Sequence, residues 1–187
     1  EKFSENRIMR VDQDTVSSRQ RFLETWDAMT SGRAQIILGT QMLAKGLHLE
    51  NVTLVGLVLA DLGLFQPDFR ATERVFSLIT QVAGRAGRTQ AGRVMLQTYM
   101  PHQPAIRFGR NQDYIGFYED EIKRRQQLQY PPFTRISNIT ISNPDRDECY
   151  GTARDLAYNM RKKMPSIIKS PSAQKKFAIL GPTIPPV

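Results

Sequence analysis

The stretch "VTLVGLVLAD", residues 52–61, is an almost unbroken run of Val and Leu that ends in an acid. A strand with one wet face alternates apolar and polar residues. A run without that alternation suits a strand covered on both faces, as in a parallel sheet. Two other stretches share its character. "AQIILG", residues 34–39, is a short apolar run bounded by turn residues, and "GRVMLQTY", residues 92–99, gives a third candidate strand. Helices are expected between and before them. "DQDTVS", residues 12–17, offers several N-cap oxygens, and the helix after it carries Phe22, Leu23, Trp26 and Met29 at helical spacing before Gly32 ends it. A second helix is expected over residues 72–88. The order helix, strand, strand, helix, strand predicts an α/β fold, a mostly parallel sheet flanked by helices.

After Pro101 the texture changes. Residues 112–129 read as a polar helix that ends ahead of Pro131 and Pro132. Residues 134–143 place Ile136, Ile139 and Ile141 in imperfect alternation and predict a strand. Residues 145–164 predict a helix with Cys149, Ala153, Leu156, Ala157 and Met160 on one side. A loop over 166–176 and a last strand in "FAILGP", residues 177–182, complete a small α+β region.

The chain has 187 residues, 40% hydrophobic and 24% charged, which allows a real core and excludes wholesale disorder. No apolar run reaches the ~20 residues of a membrane span. The N-terminus has no apolar leader segment and begins with Glu1, so the chain is expected to start inside a longer protein. A single cysteine, Cys149, cannot close an internal disulfide or build a zinc site alone, which fits a cytoplasmic setting. The net charge of +8 is uneven: 12 Lys and Arg face 10 Asp and Glu in residues 1–100, and 14 face 8 in residues 101–187. Such an excess favours polyanions or is simply a solvated basic face.

Within the second helix lies "ITQVAGRAGR", residues 79–88. On a helical wheel with Gln81 at zero, Arg74, Ser77, Arg85 and Arg88 fall within about 40° of it. Val75, Leu78, Ile79, Val82, Ala83 and Ala86 point away from that stripe. Gly84 and Gly87 beside it let something approach closely. Paired guanidinium groups suit a triphosphate, as an arginine finger does, or they complement the helix dipole. The loop "GTQMLAKGLHLEN", residues 39–51, follows a buried strand, at the end where ligands bind in open α/β sheets. Thr40, Gln41 and Lys45 supply hydroxyl, amide and ammonium groups there, and Gly46 permits a tight turn.

Together "ILGTQMLAKGLHLENVTLV" resembles motif V of superfamily 2 helicases and "QVAGRAGR" resembles their motif VI, in the same order and at a similar gap. "ADLGLFQPDFRATERVFSLITQVAGRAGR", "GRVMLQT", "YPPF" and "ILGP" extend the resemblance to the replication-restart helicases of the PriA family, over almost the whole chain. The resemblance implies that residues 1–109 form most of the second RecA-like helicase lobe. Residues 110–131 would be a linker helix, and residues 132–187 part of a C-terminal α+β domain that helps bind branched DNA and partner proteins. It implies that Arg88 is the principal arginine finger, with Arg85 in support. Gln81, Gly46 and Asp61 would lie near the nucleotide, and Thr40, Gln41 and Lys45 near the single-strand backbone. Asp61 is also readable as a cap at a strand end.

The departures from the family pattern are as informative. No G-x-x-x-x-G-K-[ST] phosphate loop occurs, nor an Asp-Glu pair of the kind that holds Mg²⁺. The family's cysteine-rich zinc insertion has no counterpart here, so no metal site is expected in this chain. The resemblance therefore implies a fragment of an ATP-dependent 3′–5′ DNA helicase that acts at stalled or branched forks and promotes primosome assembly. ATP and Mg²⁺ would be held mainly by a first lobe that the chain lacks, and the zinc by the full-length protein, so the fragment is expected to be inactive alone. The implied partners are single-stranded and branched DNA, replication-restart proteins and single-strand-binding proteins, and the implied location is the bacterial cytoplasm, at the nucleoid.

Two alternatives stand beside this reading. One is a non-enzymatic DNA-binding and partner-recruiting module that uses Lys123, Arg124, Arg125, Arg161, Lys162 and Lys163. The other is a different superfamily 2 translocase. His48 and His102 lack a partner in the sequence, Cys149 reads as a small core residue, and Tyr130 and Phe133 either stack on bases or pack a junction.

Overall fold

The computed structural model describes residues 8–12, 19–40, 52–84, 92–168 and 177–183. The chain divides into two compact units, Glu1–Arg135 and Ile136–Val187.

Unit 1 is built on two parallel strand pairs. Strand β1 (Ile8–Val11) leads through helix α1 (Arg19–Thr30) to β2 (Ile36–Gly39). The two strands pair in parallel, from Ile8 opposite Ile36 to Val11 opposite Gly39. Strand β3 (Leu54–Leu57) leads through a 3-10 helix (Ala60–Phe65) and helix α2 (Ala71–Ala83) to β4 (Arg93–Leu96). These also pair in parallel, from Leu54 opposite Arg93 to Leu57 opposite Leu96. A parallel partner requires a crossover connection, and α1 and α2 lie in the two crossovers. The parallel pairing expected from the unalternated apolar runs is therefore present, although β1 was not anticipated.

Several boundaries differ from expectation. The run 52–61 is not one strand. After Leu57 the backbone turns, with Leu59 in the left-handed region at φ 52° and ψ 56°, and the 3-10 helix begins at Ala60. The helix expected to start at residue 72 begins at Ala71, and the described part ends at Ala83 with Gly84 as its cap. Residues 85–88 of that expected helix lie outside the described residues. Helix α1 buries Ala28 and Met29, but Phe22 and Leu23 are exposed, and Phe22 stacks on Trp26 with centroids 6.4 Å apart. Gly32, at φ +75°, takes the left-handed backbone that closes α1.

Helix α3 (Pro104–Arg110) was also unforeseen, and α4 follows (Tyr114–Gln127). Proline suits the first position of α3, where no backbone N–H is needed and φ is already helical. Asp113 caps α4 by accepting the Gly116 N–H at 2.9 Å. The core gathers Ala60, Val75, Phe76, Ile79, Ala105, Ile106 and Phe117, with Leu57, Leu64, Leu96 and Phe108 packed against it. Phe76 and Phe117 stack face to face, with centroids 4.1 Å apart and planes 2° from parallel. Helices α2 and α3 meet closely at Gly109, where a Cβ would lie 3.0 Å from Ile79 Cγ2. Val75, Phe76, Ile79 and Val82 are the buried face of α2, while Leu78 is half-buried at its edge.

Unit 2 centres on helix α5 (Arg146–Ile167). Asp145 caps it, accepting the N–H groups of Asp147 at 2.8 Å and Glu148 at 2.9 Å. The strands expected over 134–143 and 177–182 are not formed: the described residues there carry no strand pairing. Ile136, Ile139, Phe177 and Leu180 are exposed. A β-branched run becomes a strand only where a neighbouring edge takes up its backbone groups. Here the backbone makes other bonds. Ile141 C=O accepts the Cys149 thiol at 3.3 Å, and Arg161 Nη2 donates to Ile179 C=O at 3.1 Å and Gly181 C=O at 2.6 Å. Helix α5 runs on to Ile167, into the stretch expected to be a loop over 166–176, of which residues 169–176 lie outside the described residues.

Candidate nucleotide- and DNA-facing site

The carboxyl ends of β3 and β4 are joined by one buried acid. Asp61 stands in the first turn of the 3-10 helix and is 4% exposed. Its Oδ1 accepts the Thr98 hydroxyl at 2.5 Å, and its Oδ2 accepts the Tyr99 N–H at 2.7 Å. Thr98 Oγ1 in turn accepts the Met100 N–H at 2.9 Å. The backbone extends the junction: Gln97 N–H donates to Leu57 C=O at 2.9 Å, and Ala60 N–H donates to Gln97 C=O at 3.1 Å. The Thr98 hydroxyl above all, then the Tyr99 N–H, hold the Asp61 carboxyl below its ordinary range, against the opposing effect of burial. Asp61 is therefore a charged clasp between two strand ends. The Tyr99 side chain beside it is 80% exposed.

The other candidates divide between described and undescribed residues. Thr40 directly follows β2 and is exposed. Gln81 is exposed on α2, on the stripe that also carries exposed Arg74 and half-buried Ser77. Arg74 is ion-paired with Asp68 at 2.6 Å. Thr40, Asp61 and Gln81 make no hydrogen bond with one another among the described residues. Arg85, Arg88, Gln41, Lys45, Gly46 and His48 lie outside the described residues. Among the described residues, no group of His, Cys, Asp and Glu gathers in a way that would hold a metal ion. No helix of these residues is long and apolar enough to cross a membrane.

A second cluster was not legible in the sequence. Arg125, near the end of α4, donates through Nε to Glu121 at 2.9 Å, through Nη2 to Glu73 at 2.7 Å and through Nη1 to Pro131 C=O at 3.5 Å. Its guanidinium lies 5.2 Å from the centre of the Phe69 ring, and Phe69 also packs against Tyr130 at 5.9 Å. "DFRATER" and "YPPF", two stretches that carried the family resemblance separately, therefore meet around one side chain. Burial opposes the Arg125 charge, but the bonds to Glu121 and Glu73 outweigh it and hold its pKa above the usual guanidinium range. The Tyr130 ring packs on Phe69 within unit 1 and stays partly exposed.

The basic residues suggested for a DNA-binding module are engaged to differing degrees. Arg124 pairs with Glu121 at 3.1 Å and Asp120 at 3.6 Å, Arg125 is bound as above, and Arg161 holds the carbonyls of "ILGP". Their internal bonds compete with any phosphate. Lys123, Lys162 and Lys163 are exposed.

No family model matches the chain. Individual proteins do. Over 182 residues, 97% of the chain, it is 38% identical to the replication restart protein PriA of Bacillus subtilis and covers 22% of that protein. It is 45% identical over 139 residues to the replication restart protein PriA of Chlamydia trachomatis, with 72% of the chain and 18% of the relative covered. It is 35% identical over 183 residues to the one from Synechocystis, with 97% of the chain and 21% of the relative covered. The chain thus spans about a fifth of the length of these relatives.

Proposed function

We propose that this chain, which belongs to the replication restart protein PriA family, supplies the arginine-finger lobe of an ATP-dependent 3′–5′ DNA helicase that restarts replication at stalled or branched forks. The observation that carries this reading is the identity of 35–45% to relatives named for replication restart, over 72–97% of the chain. Two features of the fold support it. The strands of unit 1 pair in parallel, so their carboxyl ends form the kind of edge where α/β folds bind ligands. Helix α2 seats its apolar face in the core and leaves Gln81 exposed, with Arg85 and Arg88 next in the sequence.

In this account ATP sits between this lobe and another lobe of a longer protein. Water attacks the γ-phosphorus, the bond to the ADP oxygen breaks, and Arg88, assisted by Arg85, neutralises the charge that builds on the transferring group. Gln81 and Gly46 border the nucleotide. Asp61 fixes the strand ends that border it. Thr40, Gln41 and Lys45 follow the backbone of one DNA strand, and alternate closing and opening of the lobes moves that strand along. ATP and Mg²⁺ are held mainly by the other lobe, and zinc by another part of the full-length protein. The lobe takes in residues 1–109, the helix of 110–131 continues from it, and residues 132–187 contribute to a domain that engages branched DNA, restart proteins and single-strand-binding proteins in the cytoplasm.

The test is strand separation by the full-length protein. A forked duplex with a labelled strand is expected to unwind only with hydrolysable ATP, and only when a 3′ single-stranded arm is available to load on. Unwinding without nucleotide, or from a 5′ arm alone, contradicts the proposal.

A further inference from the structure

We infer that Arg125 is a positioning residue through which DNA engagement is transmitted to ATP hydrolysis, an inference that rests on the helicase reading above. Three segments meet at its guanidinium. The first is the entry to α2, through Phe69 and Glu73. The second is α4 itself, through Glu121. The third is the turn that follows, through Pro131 C=O and the Tyr130 ring on Phe69. The backbone adds to this, with Tyr130 N–H donating to Arg125 C=O at 2.8 Å. Each guanidinium nitrogen has its own partner, and the side chain is 14% exposed. An ammonium group cannot reproduce this arrangement, because it presents a point charge and no planar fork.

The position of the junction gives it a role beyond stability. Helix α2 has 13 residues, about 20 Å of rigid rod. Glu73, in its first turn, is held by Arg125. Gln81 lies near its other end, and Arg85 and Arg88 follow in the sequence. The turn held by the same guanidinium lies just before Arg135, where the chain leaves unit 1. A displacement of the turn therefore reaches α2 through the Arg125–Glu73 ion pair, buried on its Arg125 side, and the Phe69–Tyr130 contact. Loosening that path should separate DNA binding from its effect on hydrolysis while leaving both binding sites intact.

The experiment compares full-length wild-type protein with Arg125→Met, Arg125→Lys and Glu73→Gln. It measures kcat and KM for ATP with and without forked DNA, the Kd for that DNA, and the thermal unfolding midpoint. The expected result is a loss of at least about fivefold in DNA-stimulated kcat for both Arg125 variants, with KM for ATP and Kd for DNA within about twofold of wild type. Glu73→Gln, at a half-exposed position, should show a smaller loss of the same kind. Full stimulation in Arg125→Lys overturns the inference, because charge alone would then suffice. A parallel rise in the DNA Kd overturns it in favour of a direct phosphate contact. Should Arg125→Met unfold, Glu73→Gln decides: a folded protein with undiminished stimulation overturns the inference. A wild-type protein that hydrolyses no ATP on any DNA removes the helicase reading itself, and this inference with it.

Discussion

Asp61 accepts the Thr98 hydroxyl on one carboxylate oxygen and the Tyr99 N–H on the other, so a single acid after β3 fixes the chain just beyond β4. Its folded pKa lies below the unfolded value of 3.8. Stability from this clasp is therefore fully present above the unfolded value and is lost as pH falls through the folded one. Thr98→Val removes the largest cause of the shift. Urea unfolding should show the variant less stable than wild type at pH 6, with the gap narrowing as pH is lowered below 3.8. A gap that stays constant or widens in acid contradicts this role for the carboxylate.

Ile106 is 1% exposed among Ala60, Val75, Phe76, Ile79 and Phe117. Ile106→Ala should cost about 2–5 kcal/mol by removing buried methyl groups and leaving a cavity between α2 and α3. Chemical denaturation checks this, and a cost below about 1 kcal/mol would mean that the site collapses around the smaller side chain.

Asp145 caps α5 through the N–H groups of Asp147 and Glu148. Asp145→Ala should lower stability by about 0.5–2 kcal/mol, and Asp145→Ser should restore most of it. Equal losses in the two variants would show that the acid acts other than as a cap.

The parallel pairs could be read from the uninterrupted Val and Leu runs, but the cover on both faces that such runs imply is not found, since no residue of β2, β3 or β4 is buried. Where each run ends could not. Leu59 adopts φ 52° with no glycine to announce it, and the turn is set by tertiary bonds such as Ala60 N–H to Gln97 C=O. Helix α3 carries a local signal, Pro104 at its first turn ahead of Ala105, Ile106 and Phe108. The isoleucines of 136–141 had strand composition but found no edge to pair with among the described residues. At the site, Asp61 stood out as an acid closing an apolar run, yet nothing local points to Thr98, 37 positions away. Glu73 and Arg125 are 52 positions apart, and no periodicity reaches that far. What the motifs did convey was family membership, because spacing within a motif is local even when the contacts it makes are not.

The chain has no phosphate loop of its own. Incubated alone with Mg-ATP and single-stranded DNA, it should release phosphate no faster than buffer. Hydrolysis by the isolated chain that rises with DNA would show that it binds and activates ATP without another lobe.

In the proposed function the Arg88 guanidinium acts on the γ-phosphoryl group of ATP held by another part of the protein. The most direct test is DNA-dependent ATP hydrolysis by full-length Arg88→Ala, with DNA affinity measured on the same preparation. An arginine finger is worth roughly 10³–10⁵ in rate, so kcat should fall by at least about 10³ while the Kd for forked DNA stays close to wild type. A variant that turns over ATP within a few-fold of wild type contradicts the claim.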